Sequence, residues 1–233
     1  MKEKQKIVVL TGAGMSAESG LKTFRDSNGL WEGHDVMEVA SPQGFARNPE
    51  LVLEFYNQRR RQLLEVSPNT GHKALVDLET HYDVSIVTQN VDNLHEQAGS
   101  SHVVHLHGEL FKVRSTLDET LVLDWKNDLV LGDLDKNGHQ LRPHIVWFGE
   151  MVPLLETAAQ LTQEADILII IGTSMQVYPA ASLVHYAKRG TPIYFIDPKP
   201  NIQASDFGHL TIISATAVIG VPGLVAELTE IVS

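Results

Sequence analysis

Polar side chains follow two short β-rich segments of the chain. Gln89, Asn90 and Asp92 follow one such segment, and His107 follows the other, Val103–Leu106. Open α/β sheets bind ligands at the carboxyl ends of their parallel strands, so these side chains are expected to converge at one edge. An amide, a carboxylate and an imidazole together favour a reaction centre. A polar turn beside a core histidine would explain the same residues, and on these residues alone both interpretations stay open.

A glycine-rich stretch follows the first apolar run of the chain, Ile7–Leu10. Residues 12–17 fit the pattern G-x-G-x-x-G/A directly after this strand-like run, and backbone N–H groups of that pattern bind a pyrophosphate. A plain glycine-rich turn is the alternative. The next segment, 18–31, is loop-like, whereas an ordinary dehydrogenase would continue to a second strand that ends in an acidic residue. We therefore expect the dinucleotide to lie under a mobile loop that carries Phe24 and Arg25.

Strand-like and helix-like segments alternate along most of the chain. One helix is expected to begin at Pro49, behind the capping residue Asn48, and to run to about Glu65. The alternation predicts an α/β fold, a doubly wound parallel Rossmann-like sheet with a smaller inserted lobe. Among the later elements we expect a strand at Ile145–Phe148 and a helix at Pro179–Lys188.

The segment 111–142, called the small lobe below, interrupts this alternation. Lys112–Arg114 and Leu121–Leu123 are expected to pair as a hairpin. Four apolar residues are expected to pack the lobe against the rest of the chain, with Trp125 as the best anchor because an indole buries a large area; they are Phe111, Leu117, Trp125 and Leu129. The predicted domains are a Rossmann-like domain and a small domain, which comprise residues 1–30, 69–110 and 143–233, and residues 31–68 and 111–142, respectively.

The composition excludes several classes of function. Of the 233 residues 43% are hydrophobic, an ordinary globular value, and the formal charge of -11 disfavours a general binder of nucleic acid or of anionic membranes. There is no cysteine, which excludes disulfides, thiol catalysis and cysteine-ligated zinc. The longest apolar run, Ile167–Ile171, is too short to span a bilayer, and no signal-peptide core is recognisable. We expect a cytoplasmic protein.

Five motifs are spread over nearly the whole chain. They are Gly12–Ser16 with Gly20 and Thr23–Asp26, then Thr88–His95, His105–Glu109, Arg142–Glu150 and Gly172–Ser174. In this order they resemble the sirtuins, which are NAD-dependent protein lysine deacylases, and coincidence is a poor explanation for five ordered motifs. The resemblance is strongest to the bacterial enzymes and to the desuccinylase-type branch.

The resemblance implies a role for each matching residue. His107 is expected to be the general base that activates a ribose hydroxyl, a task that suits a histidine near neutral pH. Asn90 would orient the ribose and a water molecule, and Asp92 would accept from the nicotinamide carboxamide. Phe24 would exclude water from the reacting carbon. The residues assigned to NAD in this way are Gly12, Ala13, Gly14, Phe24, Arg25, Gln89, Asn90, Asp92, Gly172, Thr173, Ser174 and Asp197.

Substrate contacts follow from the same resemblance. Residues Val146, Phe148, Gly149 and Glu150 resemble the edge that pairs with an acylated peptide. Tyr56 and Arg59 match the Tyr-x-x-Arg pair of the desuccinylase-type branch. They are three residues apart on a helix and share a face, where a guanidinium and a phenol suit a distal carboxylate. Without the family match, a solvated basic face at Arg59–Arg61 is the simpler interpretation.

Two departures from the family stand out. Asp197 replaces the Asn that commonly meets the adenine ribose, although a carboxylate can also accept from ribose hydroxyls. The small lobe lacks the four zinc-binding cysteines, and Ser115 and Thr116 stand near the first expected pair. His139 is expected to be a surface residue. The spacing of His102, His105 and His107 resembles a metal cluster, but strand residues with one catalytic member are favoured, so no metal is expected.

Two other functions are alternatives to a deacylase. An NAD hydrolase or ADP-ribosyltransferase could use the same fold and cleave the same bond. A protein that merely senses NAD would be expected to lack Asn90, Asp92 or His107, and all three are present. Strand-like binding of an acylated lysine peptide would favour the deacylase.

Overall fold

A computed structural model describes residues 4–22, 30, 31, 33–202 and 207–232. The strands are β1 Lys6–Thr11, β2 Leu30–Trp31, β3 His34–Asp35, β4 Asp83–Thr88, β5 Val103–His105, β6 Gly108–Ser115, β7 Val122–Asp124, β8 Leu141–Ile145, β9 Ile167–Ile171, β10 Ile193–Ile196 and β11 Leu210–Ile213. The α-helices are α1 Val36–Val39, α2 Pro42–Arg47, α3 Pro49–Glu65, α4 Thr70–Leu78, α5 Leu94–Ala98, α6 Leu155–Glu164 and α7 Ala217–Val232. Short 3₁₀ turns cover Ala13–Met15, Ala17–Ser19 and Ala180–Tyr186.

The main sheet is parallel, with strand order β11-β10-β9-β1-β4-β5. Its central strands bury aliphatic side chains on both faces, as parallel sheets covered by helices require. The last residues of neighbouring strands are in register, since Thr11 lies opposite both Thr88 and Ile171. The loops that follow these strands therefore leave the sheet at one edge. The predicted doubly wound fold is confirmed.

Helices cover both faces of the main sheet. α4 and α7 pack on one face, and α6 with the segment Ala180–Tyr186 packs on the other. The helix expected at Pro179–Lys188 is present over Ala180–Tyr186, but as a 3₁₀ helix and not as an α-helix. Ser182 donates from both its N–H and its hydroxyl to the carbonyl of Pro179, which favours the tighter turn.

A second layer of structure joins α1–α3 to an antiparallel sheet of order β7-β6-β8. The helix expected at 49–65 is confirmed as α3, and the side chain of Asn48 caps it by accepting from the N–H of Leu51 at 3.2 Å. The expected hairpin is confirmed as β6 paired with β7, with Val113 opposite Leu123. α3 packs against β6 and β8 of this sheet and thereby supports the small lobe.

The strand expected at Ile145–Phe148 is wrong in its position. β8 ends at Ile145, where that run was expected to begin. Glu150 explains the ending, because its carboxylate accepts from the N–H of Trp147 at 2.8 Å while its own N–H donates to the Trp147 carbonyl. Gly149 takes a positive φ of 91° at this turn. The apolar run therefore bends away from the sheet.

Packing of the small lobe differs from the expectation at two residues. Leu129 is fully buried, but Leu117 is 74% exposed in the turn between β6 and β7, so its expected packing is wrong. Trp125 is only partly buried at the edge of a small cluster formed by Leu53, Val113, Leu129 and Leu141. Its indole N–H donates to the carbonyl of Asp128 at 3.3 Å. Leu129 is therefore a stronger apolar anchor of the lobe than Trp125.

None of the helices in the described part of the chain is both long enough and apolar enough to cross a membrane.

Candidate active site

A cavity of about 600 Å³ opens where the loops after β1, β4, β9 and β10 meet. All expected site residues that the structure describes line it. From the main sheet these are Gly12, Ala13, Gly14, Gln89, Asn90, Asp92, His107, Gly172, Thr173, Ser174 and Asp197. From α3 and the segment after β8 they are Tyr56, Arg59, Val146, Phe148, Gly149 and Glu150. Phe24 and Arg25 lie outside the described residues.

The glycines after β1 allow two loops to cross in contact. A Cβ on Gly14 would lie 2.7 Å from the Cα of Gly172, and one on Gly12 would lie 2.8 Å from the Cβ of Thr173. The N–H of Gly14 donates to the carbonyl of Gly172 at 2.8 Å, and Gly172 has a φ of 60°. Close packing of the two loops therefore requires glycine at these positions, and the packed loops form the floor of the cavity.

His107 is held in one tautomer. Its Nδ1 lies 3.0 Å from the carbonyl oxygen of Gln89, and because a carbonyl only accepts, Nδ1 carries the proton. Nε2 is then the basic nitrogen of the ring. Burial lowers the pKa of His107, and the bond to Gln89 only partly opposes this shift. His107 is therefore a neutral base near pH 7.

Asn90 and Asp92 are buried beside the loop after β1. The amide of Asn90 donates to the hydroxyl of Ser16 at 3.1 Å, and this hydroxyl bonds the carboxylate of Asp92. Burial raises the pKa of Asp92, while the N–H of Leu94 and the Ser16 hydroxyl favour its charged form. Ser16 thus connects the two groups, a role that sequence reasoning missed although this residue lies within the glycine motif.

Other polar contacts fix the remaining walls of the cavity. The amide of Gln89 donates to the hydroxyl of Thr173 at 3.2 Å, which ties the loop after β4 to the loop after β9. Asp197 is buried at the end of β10, and its carboxylate accepts from the N–H of Lys199 at 2.8 Å. Lys199 also lines the cavity and had no sequence signal of its own.

Tyr56 and Arg59 reach the cavity from α3, as their spacing predicts. Arg59 donates to the carbonyl of Phe55 at 2.7 Å, and its guanidinium carbon lies 3.5 Å from the centre of the Phe55 ring. The two other arginines of the run behave differently. Arg60 is fully buried and Arg61 forms ion pairs at the surface, so the interpretation of the whole run as a solvated face is wrong.

The segment expected to pair with a peptide has several of its N–H groups occupied. Val146 donates to the carbonyl of His107, Phe148 donates to that of Ala40, and Trp147 donates to Glu150. A peptide would have to pair here through other main-chain groups. Phe148 and Gly149 are exposed at the mouth of the cavity.

The remaining histidines of the motif are structural. The ring of His105 bonds the carboxylate of Glu96 at 2.7 Å and the carbonyl of Asn90 at 3.1 Å. Burial disfavours the charged imidazole, but the Glu96 contact outweighs it and raises the pKa of His105. His102 bonds the Ser85 hydroxyl instead. Within the described residues no group of three or more His, Asp or Glu is arranged to hold a metal ion.

Zinc does not fit the small lobe. The chain has no cysteine, and Ser115, near the first expected cysteine pair, bonds the carboxylate of Asp135 instead. His139 is partly exposed with its Nδ1 3.4 Å from the same carboxylate. A zinc ion has no set of four ligands here.

Comparisons with known proteins agree with the fold. The model of the Sir2 family matches residues 12–179. An NAD-dependent protein deacylase of Helicobacter pylori (strain ATCC 700392 / 26695) is 60% identical over 227 residues, covering 97% of this chain and 99% of that protein.

Two solved structures extend the comparison. A Sir2 homologue in complex with NAD has a TM-score of 0.88 and 39% identity, with 99% of this chain and 92% of that chain covered. A Sir2 protein bound to an acetylated peptide has a TM-score of 0.79 and 28% identity, with 98% and 93% covered. With the family model matching most of its length and a relative this similar, the chain belongs to the Sir2 family.

Proposed function

We propose that this protein is an NAD-dependent protein-lysine deacylase, which transfers the acyl group to ADP-ribose and releases nicotinamide. The observation that carries the proposal is a neutral His107, fixed in one tautomer beside Asn90 and Asp92 in a cavity at the edge of the main sheet. The similar Helicobacter pylori protein carries the name of this activity, and a similar Sir2 structure is bound to an acetylated peptide.

The cavity suits NAD because Gly12, Gly14 and Gly172 line it without side chains, so that a pyrophosphate could approach the backbone closely. When bound, NAD supplies a ribose carbon from which nicotinamide can leave. Asp92 would accept from the carboxamide, and Asn90 would orient the ribose. Gln89 would contact the ribose, the loop Gly172–Ser174 would hold the adenosine and phosphate groups, and Asp197 would accept from the adenosine ribose. Ala13 would help to shield the reacting carbon.

His107 would take the proton of a ribose hydroxyl. With Nδ1 bonded to the Gln89 carbonyl, Nε2 can accept that proton, and the resulting imidazolium keeps its bond to the carbonyl. Phe24 and Arg25 are proposed, from the family resemblance alone, to exclude water from the reacting carbon. A cytoplasmic location, without nucleic acid or membrane as a partner, stays a prediction from the composition.

The acyl preference is a finer part of the proposal. Tyr56 and Arg59 both line the cavity from α3 and offer a phenol and a guanidinium to a distal carboxylate. Burial raises the pKa of Tyr56, so the phenol remains protonated and able to donate. We propose that succinyl and malonyl groups are removed at least as well as acetyl.

A peptide assay followed by mass spectrometry tests the activity. Acetyl-, malonyl- and succinyl-lysine peptides are expected to lose their acyl groups only when NAD is present, with formation of acyl-ADP-ribose. NAD cleavage without peptide deacylation would overturn the proposal and favour an NAD hydrolase.

The variant Arg59→Met tests the acyl preference. It is expected to lower kcat/KM for succinyl and malonyl peptides by about 10- to 100-fold, since a hydrogen-bonded charge is lost, and to spare acetyl peptides. Arg61→Met, two residues away but paired with Glu54 and Asp128 at the surface, is the matched control. Equal loss of acetyl and succinyl activity in Arg59→Met would show that Arg59 is structural.

A further inference from the structure

The hydroxyl of Tyr56 is fixed by a second residue of the cavity wall. The indole Nε1 of Trp147 lies 2.9 Å from the Tyr56 oxygen, and both side chains are almost fully buried. An indole N–H can only donate, so the phenol oxygen is the acceptor of this bond. The Tyr56 proton must therefore point away from the indole.

Trp147 is itself held from several directions. The guanidinium carbon of Arg142 lies 3.3 Å from the centre of the Trp147 ring, and Arg142 Nη1 donates to Glu150 at 2.6 Å. The Glu150 carboxylate also accepts from the N–H of Trp147 and from Arg114. This arrangement fixes the indole with its N–H directed at Tyr56.

We propose that Trp147 is a positioning residue for acidic acyl groups, because it fixes the Tyr56 hydroxyl as a donor towards the distal carboxylate. This inference rests on the acyl preference proposed above. A carboxylate only accepts hydrogen bonds, so a phenol with its acceptor side occupied and its proton oriented loses little freedom on binding. An acetyl group has no distal oxygen and gains nothing from this orientation.

The test is the variant Trp147→Phe, which keeps an aromatic ring beneath Arg142 and removes the N–H. We expect kcat/KM for succinyl and malonyl peptides to fall about 5- to 20-fold, while the value for acetyl peptides stays within about twofold. Tyr56→Phe should lower the succinyl-to-acetyl ratio of kcat/KM by as much as Trp147→Phe or more. The double variant should have the same ratio as Tyr56→Phe, since Trp147 acts through Tyr56.

A matched control is Trp125→Phe, which also removes an indole N–H but lies outside the cavity and should leave the ratio unchanged. Benzothienylalanine at position 147 keeps the indole shape without its N–H. It replaces Trp147→Phe if that variant unfolds.

The outcomes are distinct. A wild-type protein that removes acetyl but not succinyl groups overturns both the acyl preference and this inference. A wild-type protein that removes succinyl groups, together with an unchanged succinyl-to-acetyl ratio in the variant lacking the N–H, overturns this inference alone. Additive losses in the double variant would likewise show that Trp147 does not act through Tyr56.

Discussion

In the main sheet, β1 and β9 bury aliphatic side chains on both faces, whereas polar and charged groups take much of the interior of the small lobe. Around β6 and β8 the buried residues include Arg114, Ser115 and Arg142. The apolar cluster there is small. A region of this size with little apolar area needs other interactions to fix its structure.

α3 supplies many of these interactions through two buried polar side chains. The amide of Asn57 donates to the carbonyl of Leu129 at 3.0 Å and accepts from its N–H at 2.8 Å. Arg60 donates from Nε to the carbonyl of Leu110 at 3.1 Å and from Nη1 to Asn57 at 2.7 Å. The lobe is thus tied to the helix by hydrogen bonds that reach its backbone directly.

Asp135 fixes the far end of the lobe. Its side chain is buried, and Oδ1 accepts from the N–H groups of Asn137 and His139 at 2.7 and 2.9 Å. The hydroxyl of Ser115 and these N–H groups lower the pKa of Asp135 to about 2. A buried carboxylate with several donors thus holds this part of the lobe together. Compared with the main sheet, the small lobe shows that directional hydrogen bonds can fix a region that has only a small apolar core.

The largest expected effect is a loss of deacylation rate when the catalytic base of the main sheet is removed. His107→Ala in the main sheet should lower deacylation by about 10²- to 10⁴-fold, because the base is lost. NAD binding should survive in part, since the loop after β1 is unchanged. His139→Ala in the small lobe is the control and should keep activity within about twofold. The deacylation rates of both variants are measured with an acetyl-lysine peptide. A near wild-type rate for His107→Ala would disprove the assignment of His107 as the base.

The next effect concerns the connection between α3 and the small lobe. Asn57→Ala leaves the N–H and carbonyl of Leu129 buried without partners and should lower the free energy of unfolding by about 2–4 kcal/mol. Urea unfolding measures the loss of unfolding free energy. Hydrogen exchange should show that the amides of residues 111–142 lose most protection. Gln58→Ala, at an exposed neighbouring position on the same helix, should change stability by less than about 0.5 kcal/mol. Similar losses of unfolding free energy in both variants would contradict the conclusion that buried hydrogen bonds from α3 stabilise the small lobe.

The main sheet and the small lobe should also lose stability in different pH ranges. Burial lowers the pKa of His72, in α4 beneath the main sheet, to about 4. An unfolded histidine titrates near 6.5, so between about pH 6.5 and 4 the unfolded state binds more protons and stability falls as the pH falls. The stability contributed by Asp135 is present above its unfolded value of 3.8 and is lost only as the pH falls towards 2. The main sheet should therefore loosen first.

The variant His72→Gln tests this order. Glutamine can replace the capping contact that His72 makes with Asn69 but does not titrate. Relative to pH 7, the variant should lose about 2–3 kcal/mol less than the wild type at pH 4.5, as measured by urea unfolding. The exposed His81→Gln should behave like the wild type. Equal pH dependence in His72→Gln and the wild type would show that this histidine does not limit acid stability.

Sequence reasoning succeeded where hydrophobic periodicity and motifs specify structure. The continuous apolar run at β1 predicts a buried parallel strand, and the cap at Asn48 predicts the start of α3. It failed at Arg60, because a charged side chain gives no sign in the sequence that tertiary contacts will bury it. It also failed at Ile145–Phe148, where the bonds of Glu150 override β propensity. The described residues that motifs predicted for the site do line the cavity, but neither Lys199 in its wall nor the indole bond to Tyr56 could be predicted.

The smallest expected effect is that of metal removal. A zinc site would require four ligands in tetrahedral geometry, and the small lobe instead commits Ser115 and Asp135 to hydrogen bonds. Activity and the unfolding transition should therefore be unchanged after treatment with a strong chelator, and elemental analysis should find far less than one zinc per chain. A zinc-dependent sirtuin that carries the four cysteines is the control for the chelator. Stoichiometric zinc, or activity that is lost on chelation and restored by zinc, would mean that histidines and carboxylates have replaced the cysteines. The hydrogen-bonded lobe would then be only part of a metal-stabilised structure.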